Sequence, residues 1–184
     1  MNEQQRRHTI ISWIEEDPMH MLALRTAQQL ALNDWCLAAG FVRNLVWDRL
    51  HGFADVTPLN DIDVIYFDQQ DVSVATEKHL EQRLSALARL PWSVKNQARM
   101  HMMHDHPPYL SSSDAMSYWV ETETVIGATL SQDGRVELVA PLSTVELFEF
   151  SITPNPRHGC PEVMLERAES KGWLIRWPRL QLKI

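Results

Sequence analysis

Cysteine is nearly absent from this chain: Cys36 and Cys160 stand far apart, with no CxxC partner for either. A disulfide framework or a cysteine-based structural zinc site is therefore not expected, and reduced thiols in a cytoplasmic protein are. Positive charge is also short. Lys and Arg number 17 against 24 Asp and Glu, a formal net charge of −7, which argues against broad, sequence-blind nucleic-acid binding. A local basic groove remains open, with Arg157, Arg167, Lys171, Arg176, Arg179 and Lys183 as its candidates. The alternative for those charges is a solvated surface flanking a helix. No apolar run reaches bilayer-spanning length, and the opening Met-Asn-Glu-Gln-Gln-Arg-Arg-His leads into nothing like a signal peptide. No membrane partner is expected. GxGxxG, a Walker lysine motif, a nucleophile elbow and a Cys/His catalytic signature are all missing, which disfavours dinucleotide-binding, P-loop and nucleophile-based classes.

What is present reads as an ordinary globular protein, 45% hydrophobic and 22% charged over 184 residues, enough for one well-buried core. Two leading helices are indicated by Ile10, Ile11, Trp13 and Ile14, then by Met19 to Ala31 after an Asp17-Pro18 start. Trp35 to Ala39 reads as a buried strand, and from Phe41 the period becomes helical until Gly52 stops it. Asp61 to Phe67 is the next strand, Val74 to Arg89 the next helix, and Trp92 to Asn96 a further strand. Gln97 to His104 is a helical turn or loop, and capping serines precede a short helix over Ala115 to Trp119. Gln132-Asp-Gly134 joins Thr124–Leu130 and Arg135–Val139 as a hairpin. Short helices over Thr144 to Phe150 and Glu162 to Lys171, and a Trp/Pro-rich tail, complete the chain. The expected fold is α/β (α+β), a mixed sheet of about four or five strands flanked by helices. A single domain over 1–184 is expected: N-terminal helices in 1–33, core in 34–150, C-terminal helix and tail in 151–184.

Chemistry concentrates in Asn60-Asp-Ile-Asp-Val-Ile-Tyr-Phe-Asp68. Alternating strand geometry puts Asp61 and Asp63 on one face, about 7 Å apart, where they can share a hard divalent cation. Gly40 opens the preceding helix, whose N–H groups and positive end suit a phosphate, although Phe41 is bulky for close approach. Arg43 sits unfavourably against the helix dipole unless it faces a carboxylate or phosphate. Asn44 can donate to a phosphate or ribose, or support the loop. The bland readings stay open: Asp61 capping a turn, Asp63 pairing with Arg43, and Gly40 merely permitting a tight turn. His101, His104 and His106 read as a solvated cluster rather than a zinc site. Trp119, Trp173 and Trp177 read as core, with a base-stacking pocket as the alternative.

Taken together, Gly40-Phe-Val-Arg-Asn44, Trp47-Asp-Arg-Leu-His-Gly52 and the Asn60–Asp68 strand resemble a bacterial nucleotidyltransferase-like family. Val94-Lys-Asn-Gln-Ala-Arg-Met-His101, Pro108-Tyr109, Ala140-Pro141, Pro154-Asn-Pro156, Lys171-Gly-Trp173 and Trp177-Pro178 extend the likeness across nearly the whole chain. That family, once catalogued as a domain of unknown function, is assigned to the DNA polymerase β-like nucleotidyltransferase superfamily. The resemblance implies a glycine turn at Gly40 and a metal pair at Asp61 and Asp63, holding Mg²⁺ or Mn²⁺. It further implies transfer of a nucleoside monophosphate from an NTP to the hydroxyl of a small molecule, RNA or protein. The superfamily's Gly-Gly or Gly-Ser turn is replaced by Gly40-Phe41, and its third acid is missing from the expected strand. Asn96 stands there instead, a neutral oxygen ligand, and Glu121, Glu123 or Glu137 from the hairpin region are the candidate substitutes. A degraded, binding-only relative that acts as a regulatory module is the alternative reading.

Overall fold

The computed structural model describes residues 1–184. Asn2 opens helix α1 (Glu3–Glu16) with a reciprocal capping box with Gln5. Asp17 both ends that helix and caps α2 (Pro18–Gln28), with proline at its first turn. Strand β1 (Cys36–Ala38) feeds α3 (Gly40–His51), which Gly52 stops in the left-handed conformation at φ 71°. Then follow β2 (Ile62–Tyr66), α4 (Val74–Leu87) and β3 (Trp92–Asn96). A 3-10 turn over Gln97–Met103 and the short α5 (Ser112–Met116) lead to the hairpin β4 (Gly127–Leu130) and β5 (Val136–Val139).

The five strands form one mixed sheet in the order β3-β2-β1-β4-β5. Only the β2–β3 pair is parallel, joined through α4; the other neighbours run antiparallel. Helices α1, α2 and α3 cover one face. Ile10, Ile14, Leu24, Val42, Leu45 and Trp47 there meet Leu37, Val64 and Ala128 of the sheet in the main core. At the centre, β1 and β4 approach so closely that a Cβ on Gly127 would lie 2.6 Å from the Cys36 sulfur. Glycine is required by packing there.

The C-terminal part is more structured than the expected tail. After α6 (Val145–Phe148), β6 (Ser151–Ile152) pairs in parallel with β7 (Gln181–Leu182) as a second, two-stranded sheet. Between them run α7 (Pro161–Ser170) and α8 (Trp173–Arg176), linked by Gly172 at φ 63°. Trp173 and Trp177 enter the main core against Trp47, with ring centroids 5.7 and 5.0 Å apart. This anchoring carries the polar face of α7–α8 over the start of α3. Several bounds shift from the sequence reading: Asp61 lies just before β2, Thr122–Thr124 is a 3-10 turn rather than the head of β4, α2 ends at Gln28 rather than Ala31, and α5 runs over Ser112–Met116 rather than Ala115 to Trp119.

Candidate active site

The turn between β1 and α3 is built on Ala39 rather than on glycine. Ala39 adopts φ 56°, ψ −118°, a conformation that disfavours a Cβ and costs on the order of 1–3 kcal/mol. It persists because its N–H donates to the Ile126 carbonyl at 2.8 Å while its own carbonyl accepts from Arg43 N–H at 2.9 Å. The left-handed residue of the pair is thus Ala39, and Gly40 takes the second place, so Gly40-Phe41 is not the turn pair. The N–H groups of Gly40 and Phe41 make no hydrogen bond within the chain. Phe41 does not crowd them. Its ring is buried against His20, centroids 4.5 Å apart, and its carbonyl accepts from His20 Nε2 at 2.8 Å. A Cβ on Gly40 would point between the side chains of Arg43 and Asn44, at 3.4 Å and beyond.

Asp63 is in register with Ala38 on one side and Ser93 on the other, so its side chain emerges beside this turn. Asp61, two residues earlier and exposed, lines the same cleft. Burial, then the neighbouring Asp61 charge, raises the Asp63 carboxyl to about 6 against the opposing pull of Arg43 and Lys171. Gly40, Asn44, Asp61, Asp63, Lys171 and Arg176 all border this polar cleft of about 570 Å³. Asp61, Asp63, Gly40, Arg43 and Asn44 are therefore brought together.

Arg43 is buried, and part of its fork is used within the chain: Nη1 donates to Thr124 Oγ1 at 2.9 Å and Nη2 to Asn44 Oδ1 at 2.9 Å. Its guanidinium lies 4.3 Å from the Trp173 ring centroid. Desolvation pushes it down to about 10, against the raising charges of Glu121, Glu123 and Asp63. By holding the Asn44 oxygen, Arg43 leaves the Asn44 Nδ2 donor facing the Gly40 turn.

Asn96 is not part of the site. Its register partner is Tyr66, one step out of phase with Asp63, so it projects from the opposite face. There Nδ2 donates to the Asp68 and Asp71 carbonyls at 2.6 and 2.9 Å, and Oδ1 accepts from the Asp68 and Ala98 N–H groups. Its hydrogen-bonding capacity is taken up by closing the loop after β2. Among the candidate substitute glutamates, Glu137 is exposed on β5, and Glu123 accepts from Thr153 N–H and Ser151 Oγ in the interior. Glu121 borders a second hollow that also touches Asp63. Arg167 Nε at 2.7 Å and Thr124 Oγ1 at 2.9 Å occupy its two oxygens.

The basic C-terminal residues divide. Arg167, Lys171 and Arg176 line the cleft, whereas Arg157 lies over Tyr118, Arg179 over Phe150, and Lys183 pairs with Glu149. Sequence spacing did not single out the three that face the acids, because only the folding-back of α7–α8 separates them from the rest. No three His, Cys, Asp or Glu side chains converge on a point where a metal could sit. Of the three histidines, His104 and His106 border the second hollow, His106 packing on Tyr118 with centroids 4.6 Å apart, and His101 stands edge-on to Tyr109 at 6.0 Å. Trp173 and Trp177 are core, and Trp119 lines the second hollow.

A glycine-bearing turn with free amides thus stands beside Asp63 on the neighbouring strand and Asp61 just before it. The sequence profile of the family described as "Nucleotidyltransferase" covers residues 25–182. The chain belongs to that nucleotidyltransferase family. It is similar, at 33% identity, to a protein whose NMR structure is described as revealing a CCA-adding enzyme head domain. That match covers 99% of this chain and 96% of the other, with a TM-score of 0.83. The fold is also shared with a CCA-adding enzyme solved with CTP (TM-score 0.57, 10% identity, 97% of this chain) and with a tRNA-processing enzyme complex (0.52, 14%, 88%). Each of those two matches covers 43% of the other, longer chain. A comparison with curated protein sequences finds no match. No helix is long and apolar enough to cross a membrane.

Proposed function

We propose that this nucleotidyltransferase-family protein binds a nucleoside triphosphate in the polar cleft and transfers the nucleoside monophosphate to an acceptor hydroxyl, releasing pyrophosphate. One observation carries the reading: Asp61 and Asp63 share a cleft with the unpartnered N–H groups at the α3 start and with Lys171 and Arg176. Membership of the family and the fold shared with a CCA-adding enzyme solved with CTP support it. Phosphates suit the helix start and the facing cations. The donor set also fits Mg²⁺ or Mn²⁺, which accept one or two carboxylates and complete their shell with water and substrate phosphate oxygens. Asp61 and Asp63 would hold the ion, which when bound neutralises phosphate charge and polarises the α-phosphate. Asn44 Nδ2 and the Gly40 amide orient the phosphate tail, while Arg43 fixes Asn44 and balances the buried acids.

A binding-only regulatory role is the second reading, favoured by the occupied oxygens of Glu121 and the removal of Asn96 from the site. Calorimetry with ATP, CTP, GTP and UTP, with and without Mg²⁺, tests the common core. Metal-dependent binding abolished in Asp63→Asn is expected; tight binding indifferent to metal and to that substitution would refute the site. Incubation with labelled NTPs and cell lysate then separates transfer from binding alone.

A further inference from the structure

Two hollows meet at Asp63. The polar cleft lies on one side, and on the other is a hollow of about 270 Å³; Ala39, Asp63 and Arg167 border both. The second differs sharply in chemistry. Its wall is a platform of rings: His106 and Tyr118 lie 4.6 Å apart, and Tyr109 and Tyr118 lie 5.4 Å apart at 37°. Trp119 completes the lining beside Lys95 and Glu121.

In-line phosphoryl chemistry assigns this hollow a role. The attacking and leaving oxygens stand on opposite sides of the transferred phosphorus. If the phosphate tail occupies the cleft beside Gly40 and Lys171, pyrophosphate departs on that side. The attacking hydroxyl then approaches from beyond Asp63, where the ring-lined hollow opens.

We propose that this hollow is the acceptor site, and that it takes a small molecule whose reacting hydroxyl is carried by an uncharged compound with a planar ring. This rests on the transfer reading above. In the step, a bond forms between the acceptor oxygen and the α-phosphorus, and the α-phosphorus–oxygen bond to pyrophosphate breaks. The acceptor's proton is released to water. Rings stack offset or edge-on against His106, Tyr118 and Trp119. Of the cations nearby, Arg167 is paired with Glu121 at 2.7 Å, Arg157 lies over Tyr118 and 4.0 Å from Asp114, and Lys95 stands 3.8 Å from the Glu77 carboxylate that Arg99 holds. The Asp63 and Glu121 carboxylates on the wall disfavour an anionic acceptor. The volume falls just under the roughly 300–1,000 Å³ of drug-sized sites, enough for one ring system and its substituents. A polynucleotide track is not built around it. The Gln97–Leu110 segment that supplies much of the wall carries exposed Met102, Met103 and Leu110, and no row of cations.

The test is ¹⁵N NMR on the whole chain, titrated separately with four phosphate-free nucleosides and with 4-methylphenol. It is repeated in the presence of Mg²⁺ and an α,β-methylene NTP. The expected result is movement of the Trp119 indole N–H and of Tyr109 to Val120 amides by at least one ring compound, retained when the NTP analogue is bound. Which arm binds separates a nucleoside acceptor from a phenolic one. Tyr118→Phe should keep the response, and Tyr118→Ala, confirmed folded by its spectrum, should weaken it at least tenfold. Absence of any response at millimolar ligand overturns the proposal, as does displacement by the NTP analogue, which would make the hollow the donor's base pocket. Failure of the cleft itself has a different signature: the Mg²⁺–NTP analogue would leave the Gly40, Asn44 and Lys171 signals unmoved.

Discussion

The indole N–H of Trp177 donates to the Asp48 carboxylate at 2.8 Å, across 129 residues of chain. The same buried carboxylate accepts from the Thr57 N–H and hydroxyl, both at 2.7 Å. Asp48 thereby ties α3, the loop leading to Asp61, and the C-terminal segment that carries Lys171. The two walls of the cleft are held by one side chain.

Asp48→Ala leaves three buried donors unpaired. A loss of about 3 kcal/mol in urea unfolding is expected, with NTP affinity reduced beyond the change explained by unfolding. Trp177→Phe, which removes one donor and shrinks a fully buried ring packed on Trp47, should lose about 2 kcal/mol.

Ala39→Gly should stabilise the protein by about 1 kcal/mol. The gain from relieving a positive-φ alanine exceeds the added freedom of the unfolded chain. Thermal unfolding measures it, and a decrease in Tm would mean that the turn is unstrained.

The pH dependence at Asp63 has a definite sign. Its folded-state value of about 6 stands above the 3.8 of an ordinary aspartate. Its favourable contribution is therefore complete below the unfolded value and is lost as pH rises from about 4 through 6. Without metal, Asp63→Asn should be more stable than the parent at pH 8, by on the order of 2 kcal/mol, and no more stable at pH 3.5. Mg²⁺ binding by the parent should weaken as pH falls through 6, measured by calorimetry.

Asn96→Asp would restore a carboxylate where the resemblance expects a third acid, yet it should add no metal affinity. The new carboxylate would face the carbonyls of Asp68 and Asp71, and about 2–4 kcal/mol of stability should be lost. Tighter Mg²⁺ binding in this variant would contradict the placement of Asn96 on the far face.

Gly127→Ala forces a methyl group against Cys36 between two central strands. Overpacking there should cost about 1–3 kcal/mol. The companion change Cys36→Ala, which removes the sulfur in the way, should recover part of that loss in a double-mutant cycle.

Local pattern was enough for the elements that lead to the acids. Asp17-Pro18, Gly52 and Gln132-Asp-Gly134 fix helix ends and a hairpin through backbone chemistry acting within a few residues. The period of two in Asp61-Ile-Asp63 puts both carboxylates on one side of the chain without reference to anything distant. Other features depend on register and long-range closure. Asn96 and Ser93 lie three residues apart on one strand, and only the pairing of β3 with β2 decides that Ser93, not Asn96, lies beside Asp63. Likewise Lys171 and Lys183 look alike in sequence. The burial of Trp173 and Trp177 against Trp47 swings one over the cleft and leaves the other paired with Glu149. Periodicity and turn chemistry are short-range and are written in neighbouring residues. Which charges face each other is set by the packing of apolar anchors far away in the chain, and only the assembled core decides it.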